Sequence, residues 1–246
     1  MTSYKEFAYI YDRLMNEDID YDKWCDYIEN LFTIHDIEPD SIFETACGTG
    51  NITSRLEKRG YDITASDISA DMLSAASAKL KRTELLCCDM SKLQLSEKYD
   101  VFLCMIDGIN YIIQPQLLER TFKNIHRSLN SNGAFIFDVS TRYKLKNILG
   151  NETYIHSDYD IFYSWQNRYI EKYCMSDMLL NFFVRKGGSY RRFEERHIQR
   201  GWSEKQLRKM LSNAGFGEIC VYNELTFSRP EKDCQRMVFV CRQQGL

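Results

Sequence analysis

Proline is scarce in this chain, with 3 in 246 residues against a usual ~5%, which excludes Pro-rich linkers and collagen-like segments. Long apolar runs are missing too, since none approaches the ~18 residues of a membrane span. The opening MTSYKEFAYIYDRLMNED has neither the basic nor the apolar stretch of a signal peptide. Charge of one sign is also lacking: 32 Lys and Arg against 35 Asp and Glu leave a formal charge of −3. That balance argues against a protein that grips polyanions through bulk charge. The 9 cysteines are an odd number, form no CxxC, and several sit in apolar strand-like runs. Reduced, mostly buried thiols in a cytoplasmic protein fit this better than a disulfide framework or a zinc site. The N-x-S/T matches at Asn51 and Asn151 then carry no meaning as glycosylation sites. No internal repeat or low-complexity tract interrupts the chain.

What is present is ordinary globular composition, 44% hydrophobic and 27% charged, at a length that one core can organise with room for an insertion. Trp24, Tyr27, Ile28 and Leu31 give residues 21–35 a helical period. SIFETA (41–46) reads as a short strand, CGTGN as a turn, and ITSRLEKRG as a helix stopped at Gly60. YDITASD (61–67) is a second strand, and Ser69 caps the helix ADMLSAASAKLK. TELLCCDM (83–90) and KYDVFLCMID (98–107) are further strands, the latter apolar enough for burial on both faces. Pro115 opens a helix carrying Leu118, Phe122, Ile125 and Leu129, which Asn132-Gly133 ends before the strand AFIFDV (134–139). Strands separated by helices predict a doubly wound, mostly parallel α/β sheet.

After Asp138 the rhythm changes. Aromatics interleaved with polar residues, and Gly187-Gly188 as a hairpin turn, predict a small antiparallel sheet inserted at 141–200. Ser203 and Gln206 form a capping box for a helix that Gly215 stops, and 217–225 with 236–243 read as a closing antiparallel pair. Residues 1–140 and 201–246 then make one domain, with 141–200 as a lid over its site.

In an open α/β sheet, ligands bind beyond the carboxyl ends of the strands where strand order reverses. Three signals fall at such ends. Glu44-Thr45-Ala46-Cys47-Gly48-Thr49-Gly50-Asn51 is a strand running through a glycine turn into a helix, where glycine allows positive φ and close backbone approach. Asp67 ends the second strand and can accept both hydroxyls of a ribose. Cys88-Asp89-Met90 ends the third, with a carboxylate for an adenine amino group and a thioether to cover a ring. Together they describe a pocket for an adenosine-bearing cofactor. A dinucleotide fits poorly, because the third glycine of its fingerprint is replaced by Thr53.

ETACGTGN, ASD, CCDM and YDVFLCMIDGINYI, in that order, resemble the class I S-adenosylmethionine-dependent methyltransferases, and within them the small-molecule branch that includes sugar-amine N-methyltransferases. The resemblance covers residues 40–140, and the last helix and strand pair fit the family's antiparallel end. It implies a seven-stranded Rossmann-like sheet and S-adenosylmethionine as cofactor. It implies that Ala46, Cys47, Gly48, Thr49 and Gly50 form the turn beneath the methionyl tail, with Glu44 below. Asp67 would hold the ribose, Ile68 and Met72 would lie near the adenine, and Cys88, Asp89 and Met90 would take its edge and face. Met105 would run along the tail, and Tyr4 and Tyr11 would reach the carboxylate. The family usually has glycine where this chain has Ala46, which is tolerable if φ there is negative.

Methyl transfer asks a protein chiefly for alignment. Asp107, at the mouth of the fourth strand, is the candidate base or substrate-orienting group, and equally a turn-former before Gly108. Asn110, Tyr111, His156 and His197 are candidates to line the site of a small-molecule acceptor with a nitrogen or oxygen nucleophile. His126 reads as structural and His35 as the end of a surface helix. Asp138 has no evident co-ligands, so no metal is expected. Phe162, Tyr163, Trp165, Tyr169, Phe182, Phe183 and Tyr190 read as the core of the small sheet. The arginines and lysine at 185, 186, 191, 192, 196 and 200 read as a solvated hairpin rather than a nucleic-acid surface. The rival readings are an NAD(P)-dependent oxidoreductase, an RNA-directed methyltransferase, and a cofactor-binding regulatory protein without turnover.

Overall fold

A computed structural model describes the backbone of residues 3–243 and the side chains of residue 8 and residues 10–243. Helices α1 (Ser3–Asp18) and α2 (Tyr21–Ile34) lead into β1 (Ile42–Thr45), α3 (Asn51–Lys58), β2 (Ile63–Asp67), α4 (Ala70–Ser77), β3 (Glu84–Cys87) and β4 (Tyr99–Cys104). Then follow α5 (Pro115–Ser128), β5 (Leu129–Ser140), β6 (Thr153–Ser157), β7 (Ile161–Ile170), β8 (Met175–Lys186), β9 (Ser189–Arg200), α6 (Glu204–Ala214), β10 (Phe216–Asn223) and β11 (Arg236–Gln243). Seven strands form one sheet in the order β10-β11-β5-β4-β1-β2-β3. Strands β1 to β5 run parallel, while β10 and β11 are antiparallel additions. Strand order reverses between β1 and β4, so a crevice opens beyond their carboxyl ends.

Alternation along the central strands explains why both faces are covered. Phe43, Phe102, Phe135, Phe137 and Phe239 point to one side, where α5 and α6 bring Leu118, Phe122, Leu207 and Leu211. Ile42, Val101, Leu103, Ile136 and Val238 point to the other, against Trp24, Ile28, Leu31 and Leu56 of α2 and α3. Gly215 (φ +111) lies against His126, whose ring meets Phe216 edge-on, so that histidine is a packing group. Two expectations change here. α5 stops at Ser128, because Leu129 already pairs with Tyr99, so Asn132-Gly133 lies inside the strand range rather than ending the helix. α4 stops at Ser77, because Glu57 captures the amides of Lys81, Arg82 and Thr83 and peels the chain away.

β6 to β9 form a separate antiparallel sheet. Its aromatics divide between two faces rather than sharing one core. Tyr163, Phe182 and Phe193 stand with Ile161 against Ile10, Tyr11 and Leu14 of α1. Phe162 and Tyr190 lie on the opposite face and are exposed. The local cations are spent nearby: Arg196 and Arg168 pair with Asp177, Arg192 with Glu194, and Arg200 stacks over Trp202. His35 is buried, not on a surface helix end, and its Nε2 lies 2.9 Å from the Tyr222 hydroxyl. No helix among the described residues is long and apolar enough to cross a membrane.

Candidate functional site

The crevice floor is the β1–α3 turn. Gly48 (φ +56) has nothing within 4 Å of where a Cβ would stand, so its backbone borders open space, whereas a Cβ on Gly50 would meet Ala76 at 3.1 Å. Ala46 is also left-handed (φ +55), against the expected negative φ, so its methyl group carries strain of ~1–2 kcal/mol. Asp67 ends β2 facing this turn. Its Oδ2 accepts the Gly48 amide at 2.9 Å and its Oδ1 the Ser69 amide at 2.8 Å, which fixes the carboxylate with lone pairs to spare. Ile68 beside it is 72% exposed, an isoleucine left bare at the crevice. Met72, Cys88 and Met90 are half-buried around it, and Asp89 accepts the Ser91 amide at 2.8 Å.

Glu44 lies under the turn, buried and hydrogen-bonded by Thr53, and burial pushes its carboxyl up to about 8. Cys47 is buried in the same layer, and burial raises its thiol. Thr49 is buried and serves α1 rather than the crevice: its hydroxyl donates to Asp12 at 2.7 Å. Asp12 also receives Asn51 at 2.9 Å and Lys79 at 2.6 Å, bonds that outweigh burial and lower its pKa. The next residue, Arg13, reaches the other way and donates to Asp158 of the β6–β7 loop at 2.6 Å. One helix thus holds the glycine turn with one side chain and the second sheet with its neighbour. Burial raises the Tyr11 hydroxyl well above its usual value, with further contributions from Tyr111, Tyr21, Asp107 and Asp67, so the side chain stands among them. The side chain of Tyr4 lies outside the described residues.

Beyond β4 the chain turns through Ile106 (φ +59) and Asp107 (φ +67), two strained residues in succession. Asp138, at the end of β5 and fully buried, holds both by accepting the Ile106 and Asp107 amides, the latter at 3.1 Å. Arg236 of β11, also buried, donates to Asp138 and to both oxygens of Asp107 at 2.7 and 3.2 Å. Ser140 donates to Asp107 at 2.8 Å. Burial opposes the charge on Asp107, but Arg236, Lys144 and Ser140 outweigh it and bring its pKa below the usual carboxylate value. Asp107 is thus held as a carboxylate. Burial, with the charge of Asp107, raises Asp138 to about 6.

Two expected residues prove to be framework. Asn110 is fully buried and spends its amide on the carbonyls of Ser140 and Arg200 and the amide of Ser140, each at 2.9 Å, so it does not line the cleft. Met105 is 3% exposed and packs into the α2 face of the core rather than along a ligand. Tyr111 and His197 do meet: the hydroxyl is 3.3 Å from Nδ1, across the gap between the β4 tip and the second sheet. Burial lowers the pKa of His197, which keeps the ring neutral at physiological pH. His156 is on the far edge strand, stacked on Tyr163 and 3.4 Å from Asp158, away from that pair.

Sequence reasoning missed Asp12, Lys79, Arg236 and Gln199, a β9 residue whose side chain hydrogen-bonds Tyr111. An arginine opening the run RMVFVCRQ reads as a solvated strand end, and only the β5–β11 pairing opposite Ser140 carries it inward. Asp12 had a signal, since it follows Tyr11 in a segment already assigned to the site.

A glycine turn at the reversal of a five-stranded parallel sheet, a carboxylate after β2 and an antiparallel β10–β11 end define a Rossmann-like methyltransferase. Residues 42–133 match the family described as methyltransferase domain. The chain is 32% identical to YqeM of Bacillus subtilis (strain 168), a methyltransferase by designation, over 96% of this chain and 95% of that one. It is 35% identical to an S-adenosylmethionine-dependent methyltransferase of known crystal structure from Clostridium acetobutylicum ATCC 824, with a TM-score of 0.89 and coverage of 98% and 99%. It therefore belongs to the S-adenosylmethionine-dependent methyltransferases. The sugar N-methyltransferase KedS8 of Streptoalloteichus shares the fold, with a TM-score of 0.80 at 18% identity over 95% of this chain and 92% of that one.

Proposed function

We propose that this methyltransferase modifies an amine nitrogen of a small, hydroxyl-bearing molecule held between the β4 tip and the inner face of the β6–β9 sheet. In this reading residues 1–140 and 201–246 bind the donor, and 141–200 shape the acceptor site. Nine free cysteines support a reducing, cytoplasmic setting.

The donor fits the residues present. The open space over Gly48 suits its methionyl tail, Asp67 its ribose hydroxyls, and exposed Ile68 with Met72 and Met90 its adenine. When bound, S-adenosylmethionine supplies both the activated methyl group and the leaving group.

The observation that carries the acceptor reading is the polar end of the inner face of the second sheet, beyond the apolar patch that packs on α1. His197 and Gln199 of β9 both address the Tyr111 hydroxyl, which fixes which face looks at the tip. On that same face, by strand register, Asn167 and Ser176 are buried with Asn167 Oδ1 and Ser176 Oγ unpartnered. Buried polar atoms left unpaired are rare, and a hydroxyl-bearing ligand would satisfy them. Neutral His197 can take the proton that a protonated amine must lose before it attacks. Asp107, ionised and held by Arg236, orients the nucleophile instead of deprotonating it. The neighbouring folds that methylate sugar amines support nitrogen over oxygen.

The test is transfer of labelled methyl from S-adenosylmethionine to a panel of amino sugars and amino alcohols beside phenols and catechols. We expect label on the amines, and a loss of ~10²-fold or more in turnover for His197→Ala, with S-adenosylhomocysteine affinity unchanged. Label on phenols alone, or full turnover by the variant, would refute the assignment.

A further inference from the structure

Arg236 is surrounded by more negative charge than it can neutralise. Asp107 lies at 2.7 Å, Asp138 closer still, and Glu224 at 2.8 Å from Nε, three carboxylates facing one guanidinium. Lys144 near Asp107 offsets part of the excess. A brace for the strained Ile106–Asp107 pair needs less than this. Asp138 alone accepts both backbone amides, and one carboxylate would balance the arginine. The Asp107 side chain, 18% exposed, adds charge that the turn does not require.

The knot borders the donor crevice. Gly108, the residue after Asp107, packs so closely on the glycine turn that a Cβ there would stand 3.0 Å from the Ala46 Cβ. The charges of Asp107 and Asp67 both raise the Tyr11 hydroxyl, so both carboxylates lie near that side chain. The donor's sulfur is positive before transfer and neutral afterwards, whereas the rest of the molecule keeps its charges.

We infer that the Asp107–Asp138–Arg236–Glu224 knot is a charge filter, holding the cationic donor in preference to the neutral thioether product and so hastening release of spent cofactor. The inference rests on the donor occupying this crevice. It assigns Asp107 a part in donor selectivity separate from its contact with the acceptor, and it makes Arg236 a positioning residue that keeps Asp107 ionised at the wall.

Equilibrium calorimetry on the full chain tests this without any acceptor. The probes are S-adenosylmethionine, S-adenosylhomocysteine, and sinefungin, whose amine places a cation at the transfer position. Asp107→Asn should weaken both cationic probes ~tenfold and leave S-adenosylhomocysteine within ~twofold. Glu224→Gln removes the same charge from a half-exposed position farther out. It should shift the ratio of the same affinities ~two- to threefold with an unchanged melting temperature, and it reads the field even if Asp107→Asn folds poorly. Equal losses across the three probes would reduce the knot to a brace, and an unchanged ratio in Glu224→Gln and Asp107→Asn alike would remove the filter. Failure of the wild-type chain to bind S-adenosylhomocysteine at all would instead overturn the donor site, and the filter with it.

Discussion

Replacing Gly48 by alanine separates backbone strain from ligand exclusion at one atom. The residue has φ +56, where an alanine costs ~1–2 kcal/mol, and the stiffer unfolded chain returns ~0.4–1 kcal/mol of that. Nothing lies within 4 Å of the new methyl group, so no packing loss is added. The ligand-free variant should therefore lose only ~0.5–1 kcal/mol, a fall of ~1–4 °C in melting temperature for a chain of this size. Binding should suffer more, because the open space that spares the fold is the seat proposed for the donor's tail. We expect S-adenosylhomocysteine to bind ~10–100-fold more weakly by calorimetry. At a ligand concentration of 100 times the wild-type Kd, ligand adds ~2.7 kcal/mol to wild type, and ~0.4 kcal/mol to a variant weakened a hundredfold. Ala46→Gly is the control, since it relieves the same kind of strain two residues away without filling the space and should bind at least as well as wild type. Wild-type affinity in Gly48→Ala, beside the expected small drop in melting temperature, would show that the space belongs to something else.

Two further outcomes follow from the packing. Gly215→Ala combines φ +111 with a Cβ 2.7 Å from two atoms of the His126 ring, so it should cost ~2–4 kcal/mol in urea unfolding. Adding His126→Ala should recover part of that loss, and simple additivity of the two changes would contradict the contact. Burial raises Glu44 from 4.5 to about 8, so the unfolded chain releases this proton first as pH rises, and stability falls through that window. Glu44→Gln should gain on wild type between those limits by ~1–3 kcal/mol, and a difference independent of pH would refute the buried-acid assignment.

The parallel sheet was legible because its signals are local and repeated. The run VFLC is apolar on both faces, Ser69 and Ser203 cap their helices, and Gly215 stops α6 as a left-handed cap. The errors arose where a distant partner decides. Ser128 ends α5 because Leu129 finds Tyr99, and α4 unwinds early because Glu57, from the helix before, binds three amides that follow it. The candidate site divides the same way. Gly48, Asp67 and the cluster at 88–90 lie at strand ends that periodicity locates, so they could be read in order. Backbone handedness at Ala46 could not, since an alanine gives no sign of the φ its neighbours impose. Nor could Arg236, whose burial depends on the pairing of β11 with β5. Asn110 shows the converse: a polar residue beside a site reads as functional until its hydrogen bonds are counted.

Helix α1 joins two regions of the molecule. Because Asp12 fastens it to the glycine turn and Arg13 to the loop of the second sheet, the proposed donor seat and the proposed acceptor wall are tied to one helix. With both proposed seats tied to that helix, we expect an ordered sequence, donor in first and spent donor out last. Product-inhibition kinetics would display that sequence as competition between S-adenosylhomocysteine and donor alone.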